Sequence, residues 1–224
     1  MKPLLITIDG PAGAGKTTVS RSLAEQLGYT YVDTGALYRA VALAAMTQGC
    51  PSDDDKKLAE ICSRLALRYE NHEKGPRLYS NGEDITEHIR TPEITMFASA
   101  VSARHVVREH LLEVQREMGR LGGAVFEGRD MGTVVFPDAD VKFFLDADLD
   151  TRALRRFKEL AADKSLKDVS KAKVREAMKR RDENDSSRAL APLKPATDAI
   201  RVDSTDLTVD EVVGVMLREI RANN

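Results

Sequence analysis

Apolar and polar residues alternate in blocks along the chain, and the period within each block changes with position. Leu4 to Ile8 is a short apolar run with β-branched residues, closed by the turn signal Asp9-Gly10-Pro11, and it reads as a buried strand. The spacing after it predicts a helix from Lys16 to about Gln26, stopped by Gly28. Tyr29–Val32 follows as a second strand, and Leu37–Met46, rich in Ala and Leu, as a second helix. Ser52 with Asp55 three residues on is a capping-box pattern that would open a third helix. From Leu67 the period shortens: Leu67–Tyr69 and Arg77–Ser80 read as strands, and Asn81-Gly82 as a hairpin turn. This piece interrupts an otherwise βα chain. Thr91-Pro92 reads as the N-cap and first residue of the next helix. A longer helix carries Val107, Leu111, Val114 and Met118 on one face and stops at Gly122-Gly123. Ala124–Phe126 and Val141–Leu145 have the Val- and Phe-rich composition of strands covered on both faces. The chain is then helical and heavily charged from Thr151 to Arg188. Ala199–Val202 is a last strand, before a helix opened by the capping box Thr208…Glu211. Strands alternating with helices give an α/β fold, a parallel sheet with helices on both faces.

Composition narrows the class. At 224 residues, 42% hydrophobic and 31% charged, the chain can bury a full core and reads as a single domain over 1–224. Lys and Arg number 34 against 36 acids, a net charge of −2 that argues against general nucleic-acid or membrane-surface binding while leaving room for a local basic pocket. No apolar run approaches the ~18 residues of a membrane span, and the N-terminal apolar stretch is short for a signal peptide, so a cytoplasmic protein is expected. Cys50 and Cys62 form neither a zinc pattern nor a disulfide framework. Cys62 falls on the stripe Leu58, Ile61, Cys62, Leu65 and reads as a core thiol. The four histidines are scattered and read as surface or satisfied core residues.

The candidate chemistry begins at Gly10-Pro11-Ala12-Gly13-Ala14-Gly15-Lys16-Thr17, with Thr18 next. This is the G-x-x-x-x-G-K-[ST] phosphate loop, placed as it should be between a strand and a helix. Its glycines let backbone N–H groups point at phosphate oxygens, and the helix N-terminus adds partial positive charge. Lys16 would reach the β/γ-phosphates from a solvated loop, and the Thr17 hydroxyl could ligate Mg²⁺. A phosphate loop names a nucleotide and not a reaction. The chain has no Asn-Lys-x-Asp guanine reader and no Asp-x-x-Gly switch, which speaks against a GTPase.

A kinase needs a second anion site, and two loops offer one. In Asp33-Thr34-Gly35-Ala36-Leu37-Tyr38-Arg39, Arg39 lies one helical turn past the glycine. In Glu127-Gly128-Arg129-Asp130-Met131-Gly132, Glu127 ends an apolar strand, where an acid suits Mg²⁺ binding beside a phosphate loop. Residues 151–190 hold seven arginines, among them Arg155, Arg156, Arg181 and Arg188, and carry six more positive than negative charges. Arginines in such a run suit a mobile lid over phosphates, whereas the lysines read as a solvated face. Arg181, Asp185 and Arg188 are spaced i, i+4, i+7, as on one helix face.

With these residues in hand, the chain resembles the bacterial cytidylate kinases, in the nucleoside monophosphate kinase group, essentially end to end. The resemblance is carried by Ile8-Asp9-Gly10-Pro11, the phosphate loop and Asp33 to Arg39. It continues through Gly128-Arg129-Asp130-Met131-Gly132-Thr133-Val134-Val135-Phe136-Pro137, Phe144-Leu145-Asp146-Ala147, and the Arg180-Arg181-Asp182…Asp185…Arg188 run. It implies a P-loop kinase with a parallel five-stranded sheet, an inserted monophosphate-binding region at about 63–105 and a helical lid at about 151–185. It also implies a reaction: ATP with Mg²⁺ phosphorylates CMP or dCMP. By the same resemblance Ser99, Arg108 and Asp130 fall where the family reads cytosine, and Arg39, Arg129 and Arg188 where it holds the CMP phosphate. Arg181 and Asp185 fall at the ribose, and Thr34 stands in the acceptor site where some members have Ser. Lys16, Arg129, Arg155, Arg156 and Arg188 would carry the transfer, with Thr17 and Glu127 at the metal. CMP and dCMP would be the only partners, nucleic acid and membrane would not, and a monomer is expected. A P-loop kinase for another small acceptor, or a nucleotide-binding switch without turnover, stays open on the residues alone.

Overall fold

The computed structural model describes residues 3–72, 75–162 and 170–222. Five parallel strands make the central sheet: β1 (Leu5–Asp9), β2 (Thr30–Asp33), β6 (Ala124–Gly128), β7 (Val141–Asp146) and β8 (Ile200–Asp203), in the order β2-β6-β1-β7-β8. β1 is central, and its two hydrogen-bonded neighbours, β6 and β7, are joined by a crossover past it. In such open sheets ligands bind beyond the carboxyl ends of the strands. The register puts acids there: Asp9 is level with Gly128, Asp33 with Glu127, and Asp146 with Asp203.

Each strand's alternation sends its side chains to two apolar layers. On one face Ile6, Ile8, Val125, Phe143 and Leu145 pack against Val19 and Leu23 of α1 (Lys16–Leu27) and Val212 and Met216 of α8 (Val209–Ala222). On the other, Val32 and Phe126 meet Phe136 and the flank of α5 (His105–Gly119). The Phe126 and Phe136 rings are 4.6 Å apart and tilted, a favourable aromatic geometry. Side-chain caps set where the next two helices begin. Asp33 accepts from Ala36 N at 3.1 Å, so α2 (Thr34–Thr47) starts three residues before the expected Leu37. α3 (Asp55–Ser63) is capped by Asp54 and not by Ser52: the Asp54 carboxylate accepts from Lys57 N, and Asp55 is turned to an ion pair with Arg104.

A second, antiparallel sheet of β3 (Leu67–His72), β4 (Gly75–Ser80) and β5 (Glu83–Asp84) occupies the interruption seen in the sequence. Asn81 and Gly82 both have positive φ (51° and 89°), which a two-residue hairpin requires, and they turn β4 into β5. With α3, α4 (Pro92–Val101) and α5 this sheet shares one core around α2. Tyr69 of β3 ties it to the main sheet by donating to the Asp33 carbonyl at 2.8 Å. Thr91 caps α4 and Pro92 opens it, as the sequence indicates. Both cysteines are free and buried in that core. The charged region forms α6 (Leu149–Ala162) and α7 (Lys171–Ser187), packed together through Ala153, Val174 and Met178. The part of the expected lid at 163–169 lies outside the described residues. Among the described residues no helix is long and apolar enough to cross a membrane.

Candidate active site

The phosphate loop runs from the end of β1 into α1. Gly10 has φ 150°, and a Cβ there would stand 1.9 Å from the Leu145 carbonyl oxygen. Only glycine lets β1 turn this closely against β7. Gly15, at φ 91°, forms the N-cap of α1 with no side-chain partner, which leaves the first N–H groups of the helix to point into the loop. Lys16 contradicts the solvated position expected for it. It is 6% exposed, and its Nζ donates to the Pro11 carbonyl at 2.6 Å, across the loop. Burial strips water from its ammonium, and the Arg129 charge repels it, so its pKa lies well below the usual value, with Glu127 and Asp9 opposing. A cation so held gains most when phosphate replaces the lost water.

Glu127, at the end of β6, faces Thr17 across the loop. Thr17 Oγ1 donates to Glu127 Oε1 at 2.8 Å, and Glu127 Oε2 is buried with no partner among the described residues. Desolvation raises the Glu127 pKa to about 7, with the Asp33 charge adding and Lys16 and the Thr17 bond opposing. An orphaned carboxylate oxygen beside a hydroxyl, next to a phosphate cradle, is a donor set that fits Mg²⁺ bound jointly with nucleotide phosphates. Thr34 is buried, and its hydroxyl donates to the Glu127 carbonyl at 2.7 Å.

The two loops expected to offer a second anion site converge on the same edge. Arg39 Nη2 is 2.7 Å from Asp33 Oδ2, and its Nε is buried without a partner among the described residues. Arg129 Nε donates to Asp185 Oδ2 at 3.0 Å, which ties the loop after β6 to α7. Asp130 is buried against Arg108, whose guanidinium also donates to the Ser102 carbonyl at 3.2 Å and lies 5.8 Å from the Tyr38 ring centre. Burial raises the Asp130 pKa, and Arg108, Arg188 and Arg129 oppose it. Ser99 is exposed on α4, one turn before Ser102. Arg181 is exposed as a residue, yet the protein around its guanidinium withdraws enough water to lower its pKa to about 10. Arg129, Arg156 and Arg39 add to that and Asp185 opposes it, so these charges lie near enough to act on one another. Arg188 is the C-cap of α7 and not part of its face: its guanidinium turns back to the Asp185 and Ala191 carbonyls at 3.3 and 3.1 Å.

The two lid arginines expected over the phosphates are bonded to protein groups. Arg155 holds the Ser204 hydroxyl and carbonyl at 3.0 and 2.6 Å, and Arg156 pairs with Glu159 on its own helix at 2.9 Å. Arg152, one of the seven arginines read as suiting a lid over phosphates, is buried at the loop. It donates to the Ala12 carbonyl at 3.1 Å and pairs with Asp182 at 2.6 Å. Met178 of α7 sits so near Gly13 that a Cβ there would come within 2.7 Å of its Cε. The α6–α7 pair therefore rests directly on the phosphate loop. Asp9 and Asp33 were missed as site residues, although an acid closing an apolar strand is the signal that pointed to Glu127.

A parallel sheet with a phosphate loop after its central strand, a carboxylate on the neighbouring strand and arginines closing over both defines a P-loop kinase. Comparison with known proteins agrees and goes further. The family model for cytidylate kinase matches residues 6–222. A cytidylate kinase of Geobacter sulfurreducens is 50% identical over 97% of this chain and 93% of its own length. One of Caldicellulosiruptor bescii is 44% identical over 97% of this chain and 95% of its own. The chain belongs to the cytidylate kinase family. Among solved structures, an uncharacterized protein of Eubacterium ventriosum shares the fold at 14% identity and TM-score 0.51, covering 97% of this chain and 98% of that one.

Proposed function

We propose that this protein transfers the γ-phosphoryl group of ATP to CMP or dCMP, giving ADP and CDP or dCDP. The observation that carries the reading is the apposition of two loops. β1 and β6 are hydrogen-bonded neighbours, so the phosphate loop after one lies beside Glu127, Arg129 and Asp130 at the end of the other.

The acceptor oxygen of CMP is already anionic, so the transfer needs no strong general base. Lys16, held across the loop by Pro11, meets the β/γ-phosphates, and the loop N–H groups and α1 N-terminus take the remaining charge. Arg39, Arg129 and Arg188 hold the acceptor phosphate in line, and each is already oriented by a carboxylate or carbonyl before substrate arrives. Arg181 and Asp185 take the ribose. Asp130 accepts from the cytosine amino group, Arg108 donates to its acceptors, and Ser99 and Thr34 complete the acceptor site. Thr17 and Glu127 would hold Mg²⁺, which would neutralise charge developing on the transferring phosphoryl group. α6 and α7 act as the lid, with Arg155 and Arg156 reaching the phosphates on full closure and excluding water. The segment 63–105 acts as the monophosphate-binding insertion of a single domain. Every side chain the transfer needs comes from one chain, so we take the working unit to be a monomer. The cytoplasm, where ATP and nucleoside monophosphates are held, is its setting.

An acceptor panel with coupled ADP detection tests the reading. CMP and dCMP should be good acceptors, UMP poor, and AMP and GMP worse because a purine overfills the pocket. AMP or UMP matching CMP would give the site to another acceptor. ATP binding without acceptor-dependent ADP release would make it a switch.

A further inference from the structure

Asp9 ends β1 immediately before the phosphate loop and is 3% exposed. Its Oδ1 accepts from Met131 N at 2.9 Å and its Oδ2 from Gly132 N at 2.8 Å. Those amides open the π-helical turn Met131–Val135. Within the turn the hydrogen bonds start later: Val134 and Val135 donate to the Asp130 carbonyl, and Phe136 donates to that of Met131. The first amides of a helical turn have no partner inside it. Here one carboxylate, more than a hundred residues away in sequence, accepts from both. Asp130 flanks the turn and is gripped from its other side by Arg108. The backbone has little slack, since a Cβ on Gly128 would lie 2.7 Å from Met131 Cγ and one on Gly132 3.1 Å from Thr7 Oγ1. Beyond the β1–β6 ladder, which ends at Asp9 and Gly128, the turn that follows Arg129 and Asp130 is therefore tied to β1 by one side chain.

We propose that Asp9 is a positioning residue that locks the acceptor loop to the phosphate loop, so that base discrimination at Asp130 and alignment with the donor both depend on it. The inference rests on the reading of Arg129 and Asp130 as acceptor-binding. A buried carboxylate is a costly way to stabilise a fold: desolvation raises its pKa to about 6, the two amides and Lys16 oppose this, and the Asp130 charge adds to it. Two adjacent accepting oxygens on so short a stem are what the paired amides require. Asn has one accepting oxygen, and its NH₂ would face the second amide.

Asp9→Asn should lower kcat/KM for CMP by about 10- to 100-fold, as loss of alignment does. The ratio of CMP to UMP activity should fall with it, while KM for ATP stays within about twofold because the loop's own N–H groups remain. Equal losses for CMP and UMP, or wild-type kinetics, would overturn the proposal. Asp9→Glu keeps charge and both oxygens but shifts them by a methylene, so it should also lose discrimination; full rescue would show that charge and not position matters, against the proposal. Asp130→Ala, assayed alongside, separates the two readings. If it leaves the CMP to UMP ratio unchanged, the acceptor reading fails. If it collapses the ratio and Asp9→Asn does not, only the positioning inference falls. Should neither Asp9 variant fold, hydrogen exchange on the wild-type protein without nucleotide decides. The Met131 and Gly132 amides should already be protected, and protection that appears only on adding CMP would mean that substrate, not Asp9, orders the loop.

Discussion

At the scale of single residues, the site is built from charges that folding alone would avoid. Lys16 is buried with no carboxylate bonded to it among the described residues, and desolvation, helped by the Arg129 charge, depresses its pKa. Lys16→Met keeps the aliphatic stem and removes a desolvated cation, so its melting temperature should not fall. Its kcat should drop by about 100-fold or more, because a preorganised charge on the transferring group is lost. A less stable protein with near-wild-type kcat, measured by calorimetry and ADP release, would remove Lys16 from the chemistry. Asp9 adds a pH signature. Its folded-state pKa of about 6 lies above the ordinary 3.8, so its favourable contribution is complete below about 4 and lost as pH rises through 6. The cost above pH 6 is on the order of 3 kcal/mol. The melting temperature of Asp9→Asn relative to wild type should therefore fall as pH is lowered from 7.5 to 4.5; a difference that stays flat would mean that Asp9 does not titrate in this range.

At the scale of elements, α6 and α7 form a thin layer with a small apolar seam and a polar attachment to the core. Its anchors are Arg152 to Ala12 and Asp182, Arg129 to Asp185, and Arg155 to Ser204, whose hydroxyl also donates to the Ala14 carbonyl at 3.0 Å. Polar anchors over few apolar contacts allow opening at modest cost. Arg155→Ala removes one anchor. Arg156→Ala removes an exposed pair with Glu159, worth under about 1 kcal/mol to stability. Both should slow CMP phosphorylation and raise the ratio of ATP hydrolysis to transfer, which a phosphate-release assay beside a CDP assay would measure. Two fully active variants would make the run a solvated surface.

At the scale of the whole molecule, the phosphate loop is local information. The strand before it, the glycines within it and the helix after it are contiguous, so its pattern, and the βα alternation that makes the parallel sheet, are legible without coordinates. The Asn81-Gly82 turn and the Thr91-Pro92 and Thr208…Glu211 caps are legible for the same reason: each needs only its immediate neighbours, and the structure forms all three. The α3 cap is not legible in the same way, because Ser52 and Asp54 both offer an oxygen to a helix start and local spacing does not choose between them. Lys16 burial, Arg152 on the Ala12 carbonyl and Asp9 under the Met131–Val135 turn are contacts between segments distant along the chain. No periodicity records them. Which chemistry is present, a phosphate cradle with an acid and arginines beside it, is written in the order of the residues. Which of those charges meet is settled by folding, because strand order and register, not spacing along the chain, set the distances at the carboxyl edge of the sheet.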